Sequence, residues 1–215
     1  MARVAKEVVE KRPEEIMKAC MKLYRTMAFQ EITLNEISKE TSLSRPAIYN
    51  YFHTKEEIFL AILGNEYRLW NDSLIKIHRE ENLSIDGFAK AIGQSMQRRA
   101  LMLRIQSMNL YEIEEHSRLE RLVAFKRIYG EARQTLTGCI GKFFPSLPEE
   151  TRQEAVLEML AFMYGVYPYA YPTEKQEKAM REAGIDTMIP SISSLVESCI
   201  GDILRSKTMC IKEGI

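Results

Sequence analysis

Residues 33–57 constrain the fold of this chain more than any other stretch, because they contain two signals for the start of a helix. Thr33 and Thr54 are each followed three positions later by a glutamate. In this capping-box spacing, the hydroxyl and the carboxylate each satisfy a backbone N–H that the first turn of a helix leaves unpaired. The two boxes therefore predict one helix that starts after Thr33 and another that starts after Thr54.

Between the two capping boxes, the residues predict a tight turn and a second short helix. Ser44 is placed to cap that helix, and Pro46 lies in its first turn, where the missing N–H of proline costs nothing. Three apolar residues have the spacing that packs this helix inward, namely Leu43, Ile48 and Phe52. The residues left to face outward are Arg45, Ala47, Tyr49 and Asn50. Two short helices joined by a turn, the second with such an outward face, indicate a helix-turn-helix reader of the DNA major groove.

The rest of the chain also indicates helices. Pro13, followed by two glutamates, predicts that the first helix begins at this proline. Apolar residues recur three and four positions apart over residues 16–27, and again in the segments after Ser84, with a break at Pro168. The chain has only 10 glycines and 7 prolines, which is little turn material for a sheet, so an all-α fold is expected.

The chain is not basic overall, although DNA-binding proteins often are. Its 30 lysines and arginines equal its 30 aspartates and glutamates, so the net charge is +0. Residues 41–55 nevertheless contain Arg45, His53 and Lys55 and no acidic residue, which predicts a local positive surface around the short helix. The most apolar run, 160–171, is too short to span a bilayer, and no N-terminal targeting signal is found. A cytoplasmic protein without a membrane partner is expected.

The segment from Ile48 to Glu57 resembles the TetR family of transcriptional regulators. It reads Ile-Tyr-Asn-Tyr-Phe-His-Thr-Lys-Glu-Glu, which is similar to that family's pattern of an aliphatic residue, Tyr, any residue, His or Tyr, Phe, any residue, Ser or Thr, Lys and Glu. The resemblance covers about residues 16–62. Ala28, Ser38 and Ser42 depart from it. Ser42 stands where the turn usually has glycine, so the turn would be strained if this residue took a positive φ.

This resemblance implies an all-helical homodimer with two domains in each subunit. Residues 1–56 would form a three-helix, helix-turn-helix DNA-binding domain, and residues 57–215 would form a helical ligand-binding and dimerisation domain. Two long helices, near residues 149–167 and 191–205, would supply a four-helix dimer interface. The expected partners are a double-stranded DNA operator, a second copy of the chain and a small-molecule effector.

Three outward residues of the reader helix are candidates for contacts to bases. Arg45 could form the bidentate contact to O6 and N7 of guanine, or it could bind a phosphate. Ala47 could offer its methyl group to thymine, or it could simply be small enough for the helix to enter the groove. Asn50 could read adenine or contact a phosphate, and the sequence leaves both readings open.

Other residues are expected to position the protein on the phosphate backbone. Tyr49 and Lys55 match positions at which the family holds phosphate oxygens. Thr33 and Ser44 are expected to bind phosphate as well as to cap their helices, and the two roles are compatible. Pro46, in the first turn of the reader helix, completes the predicted DNA-binding set.

The remainder of the chain is rich in methionine and aromatic residues at helical spacing. Residues of this kind usually form a core, but so large a set also suits an adaptable apolar cavity. The candidates for a ligand pocket are Trp70, Met102, Met108, Tyr111, Phe125, Tyr129, Phe162, Met163 and Tyr167. An organic, largely apolar effector is expected there.

No set of residues indicates catalysis. The three histidines are scattered and no nucleophile–base pair stands out, so no metal, cofactor or catalytic residue is expected. The prediction is a ligand-responsive transcriptional regulator, favoured as a repressor that a small, largely apolar molecule releases from a palindromic operator. The alternative is a DNA-bound protein-interaction factor of the same fold without a small-molecule ligand. An enzyme with an appended DNA-binding head is the least favoured reading.

Overall fold

The computed structural model describes residues 2–186 and 188–213, with side chains described for residues 12–186 and 188–210. This part of the chain is helical throughout and contains no β-strand, which confirms the predicted all-α fold. One turn of 3-10 helix spans Phe29–Glu31. The α-helices are α1 (Ala2–Tyr24), α2 (Leu34–Lys39), α3 (Arg45–Tyr49), α4 (Lys55–Arg79), α5 (Ile85–Gln97), α6 (Ala100–Glu115), α7 (Leu119–Phe143), α8 (Glu149–Ala170), α9 (Glu174–Glu182) and α10 (Ile192–Glu213).

The described residues form two compact units. The first contains the chain up to Asn65 together with Asn109–Arg127, and the second contains Glu66–Met108 and the residues from Ile128 onward. Helices α4, α6 and α7 therefore each contribute residues to both units. The inclusion of Asn109–Arg127 in the first unit was not anticipated from the sequence, because no local pattern reveals which distant segment a helix will pack against.

The core of the first unit is built from the inward faces of its helices. Helix α2 packs against both α1 and α3. On α1, Ile16 and Cys20 are fully buried, as their spacing predicts. The ring of Phe59 on α4 lies between two other aromatic rings, with centroid distances of 4.9 Å to Tyr24 and 4.8 Å to Phe29. These contacts join α1, the 3-10 turn and α4 in the core of the unit.

Helix α1 differs from its prediction at both ends. It begins at Ala2, so that Pro13 lies inside the helix, and the prediction of a start at this proline was wrong. A proline inside a helix removes one backbone hydrogen bond, and α1 forms despite this loss. The prediction was based only on the preference of proline for the first turn of a helix. The helix ends at Tyr24, although the apolar spacing continues to residue 27, and the backbone N–H groups of Thr26 and Met27 donate to the carbonyl of Leu23.

The second unit has its own core, in which α10 packs against α5 and α8. Trp70 is fully buried, and its indole N–H donates to the hydroxyl of Ser95 at 3.2 Å. Helix α8 continues through Pro168 to Ala170, so the predicted break at this proline was wrong. Gly184 follows α9 in the left-handed conformation typical of a helix end, with a φ of 70° two residues after the helix ends. None of the helices described is both long and apolar enough to cross a membrane.

Candidate nucleic-acid interface

Helix α3 presents to solvent the face that the sequence predicts. Ile48 is fully buried and Phe52 is 4% exposed, which confirms that both belong to the core. Arg45 and Asn50 are exposed, and Tyr49 is 39% exposed. The buried pair fixes α3 to the unit, and the exposed side chains share the side that could meet DNA.

Arg45 and Tyr49 form a joined pair on this exposed face. The Nη2 group of Arg45 donates to the hydroxyl oxygen of Tyr49 at 3.0 Å. The guanidinium carbon also lies 5.6 Å from the centroid of the Tyr49 ring. The contact therefore fixes the orientation of both side chains relative to each other. This contact was not predicted from the sequence, in which the two residues have separate expected roles.

The turn before α3 is held by Glu15 of α1. Its carboxylate Oε1 accepts the backbone N–H of Ser42 at 2.6 Å. Hydrogen bonds from the backbone and the hydroxyl of Ser42 lower the pKa of Glu15 below its ordinary value. Among the described residues, no residue other than glycine has a positive φ, so the strain considered for Ser42 does not arise. The carboxylate of Glu15 thus ties this turn to α1.

The two predicted helix caps before α2 and α3 differ in the structure. The hydroxyl of Thr33 accepts the backbone N–H of Glu36 at 3.1 Å, as predicted. The carboxylate of Glu36 does not return to Thr33 but accepts from the ammonium of Lys39 at 2.9 Å. Ser44 occupies the N-cap position of α3 without a side-chain capping bond, so its predicted capping role was wrong. Its exposed hydroxyl is free of that role and remains a candidate for a phosphate contact.

The start of α4 places Lys55 and Glu57 beside the end of α3. The backbone N–H of Glu57 donates to the hydroxyl of Thr54 at 3.2 Å, which is half of the predicted capping box. The carboxylate of Glu57 accepts from the backbone N–H of His53 at 2.8 Å, one residue before the position expected. The ammonium of Lys55 donates to the carbonyl of Phe29 at 2.7 Å and lies 4.3 Å from its ring centroid. One of its three N–H donors is therefore used inside the unit, and its phosphate contact stays a prediction.

Glu57 also binds Arg118, in the turn between α6 and α7, 61 positions further along the chain. The Nη2 group of Arg118 donates to Oε2 of Glu57 at 2.9 Å, and Nε donates to Oε1. Burial opposes the ionised form of Glu57, but the hydrogen bonds from Arg118 and from the N–H of His53 outweigh it and lower its pKa to about 2. Sequence reasoning missed Arg118, because nothing local to it indicates a partner so far away.

The predicted pocket residues do not form one set in the structure. Tyr111 and Phe125 belong to the first unit, and the other seven belong to the second. The residues with 4% exposure or less are Trp70, Met102, Phe125 and Met163. Tyr129, Phe162 and Tyr167 are half-buried. Met108 and Tyr111 are 58% and 85% exposed, which does not fit the lining of an enclosed pocket within either unit. A polar groove of about 700 Å³ between α7 and α8 includes none of the nine and is lined by Gly130, Arg133, Gln134, Thr137, Gly138, Gly141, Glu149, Arg152 and Gln153.

The second unit contains a buried polar cluster around Tyr67 and Gln106 that was not predicted from the sequence. The amide Nε2 of Gln106 donates to the hydroxyl of Tyr67 at 2.6 Å, and both residues are almost fully buried. Burial and the neighbouring Tyr164 raise the pKa of Tyr67 well above its ordinary value. The carbonyl oxygen of Gln106 is buried without a hydrogen-bond partner, and so is that of Asn71. Polar residues within an apolar helical pattern were the signal that could have revealed this cluster.

Comparison with known families decides what the arrangement of the first unit means. The family model described as "Bacterial regulatory proteins, tetR family" matches residues 16–62. The model described as "Tetracyclin repressor-like, C-terminal domain" matches residues 65–205, which is more than half of the chain. The chain belongs to the TetR family. It therefore belongs to a family of DNA-binding transcriptional regulators and not to a family of enzymes, as the sequence predicts.

Individual relatives of this TetR-family chain match over shorter segments. It is 28% identical over 74 residues to the biofilm operon icaADBC HTH-type negative transcriptional regulator IcaR of Staphylococcus epidermidis, which is 34% of this chain and 40% of that protein. It is 33% identical over 61 residues to the HTH-type transcriptional regulator YfiR of Bacillus subtilis, which is 28% of this chain and 30% of that protein. The matches thus span well under half the length of these relatives.

Two solved structures share the fold of this TetR-family protein. The fatty acid degradation regulator FadR from Bacillus halodurans has a TM-score of 0.59 and 14% identity, over 89% of this chain and 94% of that one. A protein from Pseudomonas aeruginosa PAO1 has a TM-score of 0.57 and 18% identity, over 95% of this chain and 94% of that one. At these identities the likeness concerns the fold alone.

Proposed function

We propose that this TetR-family regulator binds a palindromic operator as a homodimer in the cytoplasm and that a small, largely apolar effector releases it. The observation that carries the DNA-binding part is the exposed face of α3, where Arg45, Tyr49 and Asn50 project while Ile48 is fully buried. A symmetric dimer places two such helices in successive major grooves, which requires a palindromic site. Repression is favoured because the Staphylococcus epidermidis relative is named a negative regulator.

The second unit supports the homodimer. Helices α8 and α10 pack against each other; α8 contains the segment 149–167 proposed for the interface, and α10 contains all of the segment 191–205 except its first residue. Leu157 on α8 and Met209 on α10 are each 59% exposed. Large apolar side chains that remain exposed on a packed helix pair are typical of a surface that another subunit covers. A four-helix interface between two copies would cover them.

The buried polar cluster supports an effector site in the second unit. An acceptor buried without a partner costs about 1–3 kcal/mol, so the carbonyl oxygen of Gln106 favours a partner that donates a hydrogen bond. The proposed effector is therefore an apolar molecule that carries a hydroxyl or an amide N–H. It releases DNA if it binds better to a conformer that fits the operator poorly.

A second function, as a DNA-bound interaction protein without an effector, is favoured by one observation. Trp70, Met102 and Met163, all predicted to line a pocket, are at most 2% exposed, as core residues are. The two functions differ in their response to small molecules. A library of apolar alcohols and amides that leaves both melting temperature and operator affinity unchanged supports the interaction protein. A compound that raises the melting temperature and lowers operator affinity supports the regulator.

The DNA-binding proposal is tested by selection of bound sequences from random duplex DNA with the purified full-length protein. We expect enrichment of an inverted repeat whose half-sites lie about one helical turn apart or a multiple of it. Affinity for that repeat should fall steeply as salt rises, because phosphate contacts release counterions. Enrichment of a single asymmetric site, or binding that salt hardly changes, would contradict the proposal.

A further inference from the structure

Helix α3 is held at both ends by carboxylates that lie outside its exposed face. Glu15 accepts the N–H of Ser42 before the helix, and Glu57 accepts the N–H of His53 after it. We propose that Glu57 and Arg118 are positioning residues for DNA recognition, which fix the segment after α3 to the turn between α6 and α7 and so set the direction of the base-reading face. This proposal rests on the DNA-binding function of the family and not on any effector.

The Glu57–Arg118 pair has the geometry of a strong, directional contact. Two guanidinium nitrogens of Arg118 meet the two carboxylate oxygens of Glu57, which is the planar fork that arginine forms with carboxylates. The side chain of Glu57 is 0% exposed, whereas that of Arg118 is 35% exposed. A buried carboxylate that loses its cation remains as an uncompensated charge, so the segment around it must shift or admit water.

Two further contacts join the same two segments. The hydroxyl of Thr54 donates to the carbonyl of His116 at 3.3 Å. The Nη2 group of Arg121 donates to the carbonyl of Tyr51 at 2.7 Å, and its guanidinium carbon lies 5.8 Å from the ring centroid of Phe52. We call these contacts, together with the Glu57–Arg118 pair, the exit clamp. Together with the bond from the His53 N–H to Glu57, the clamp holds four consecutive residues, 51–54, which begin two positions after the end of α3.

The length of α3 makes such support necessary. With five residues, Arg45–Tyr49, it has little more than one turn, and a helix this short keeps its direction only through packing. Contacts to base edges require side chains held to within about 0.5 Å, so a small tilt of α3 would weaken them. Because Glu57 is fully buried, its influence on DNA affinity must pass through the position of α3.

The salt dependence of DNA affinity distinguishes a positioning role of Arg118 from a direct contact between Arg118 and DNA. In the full-length protein, Arg118→Met should lower affinity for the selected operator at least about tenfold, while affinity for unrelated DNA stays within about twofold. The slope of affinity against salt should not change, because no phosphate contact is lost. Arg127→Met is the matched control, since it removes an exposed arginine from α7, the helix that follows Arg118 in the same unit, and it should leave operator preference unchanged.

The same measurements contain the results that overturn the proposal. If Arg118→Met binds the operator as Arg127→Met does, the clamp does not position α3. If operator and unrelated DNA lose affinity equally and the salt slope falls by about one, Arg118 is a phosphate contact instead. Should Arg118→Met fail to fold by circular dichroism, Arg118→Lys keeps the charge but not the fork, and an operator affinity equal to that of the wild type would equally overturn the proposal.

A double-mutant cycle tests whether the two residues act together. Glu57→Gln and Arg118→Met should each lower the ratio of operator affinity to affinity for unrelated DNA. The double variant should lose no more than the worse single variant, because either change already breaks the pair. Losses that multiply in the double variant would show that the two residues act independently, which contradicts an exit clamp.

Discussion

The guanidinium of Arg45 donates to the hydroxyl of Tyr49 at 3.0 Å on the exposed face of α3. The two residues lie one helical turn apart, and the guanidinium carbon is 5.6 Å from the ring centroid. Tyr49 thereby restricts the rotamers of a long side chain that would otherwise be mobile in solvent. In a groove, the arginine fork then starts close to the direction it needs for guanine or phosphate.

This relationship predicts unequal effects for changes at the two positions. If Arg45 reads guanine, Arg45→Ala should cost roughly 1–3 kcal/mol of operator binding and relax preference at one base pair. Tyr49→Phe keeps the ring beside the guanidinium but removes the hydroxyl, which is predicted to bind a phosphate. It should therefore lower the affinity for the operator and for unrelated DNA by similar factors. Fluorescence anisotropy with the selected operator and single-base variants measures both. An Arg45→Ala protein with unchanged affinity and base preference would remove this residue from the base-reading set.

Substitutions of Ser44 and Thr33 should distinguish a loss of helix capping from a loss of phosphate binding. Ser44 makes no capping bond with its side chain, so Ser44→Ala should change the free energy of unfolding by less than about 0.5 kcal/mol. Thr33 does cap α2, so Thr33→Ala should cost about 1 kcal/mol. Urea denaturation gives both values. A Ser44→Ala protein that keeps its stability but loses operator affinity supports the phosphate contact, and a loss of stability at Ser44 contradicts the structure.

Acid should weaken the fold through Glu57. Its pKa is lowered in the folded state from an ordinary value of 4.5 to about 2, so it stabilises the fold above about pH 4.5. That contribution is lost as pH falls from about 4.5 towards 2. Arg118→Met removes the hydrogen bonds that offset the effect of burial on the carboxylate, so the pKa of Glu57 in the folded state rises. The difference in unfolding free energy between wild type and variant should be constant near neutral pH and shrink below about pH 4.5. A difference that stays constant down to about pH 3 in urea titrations would exclude Glu57 as the group responsible.

Gln106 is expected to affect the effector response rather than DNA binding. Gln106→Met removes the unpartnered buried acceptor and also the hydrogen bond from the amide of Gln106 to the hydroxyl of Tyr67. These two effects oppose each other, so the melting temperature should stay within a few degrees. Affinity for the operator should be unchanged without effector. A library compound that releases the wild type should release this variant only at a concentration at least about tenfold higher. Unaltered release would place the effector's polar contact elsewhere.

Local chemistry made much of the DNA-binding unit predictable. Thr33 caps α2 as its spacing to Glu36 predicts, and Ile48 and Phe52 are buried as their spacing predicts. Each of these depends on residues within one helical turn, where backbone geometry leaves few alternatives. Pro13 shows the limit of the same reasoning, because its preference for a first turn did not prevent α1 from starting at Ala2.

The sequence by itself determined the helical class, the reader helix and the family, since these depend on short-range periodicity and on one compact motif. Only the tertiary structure decided that Arg118 pairs with Glu57, 61 positions away, and that Asn109–Arg127 belongs to the unit that reads DNA. It also decided which of the predicted pocket residues are buried and that Gln106 holds an unpartnered oxygen. Burial and long-range hydrogen bonds follow from how helices pack, and many packings are compatible with the same local pattern.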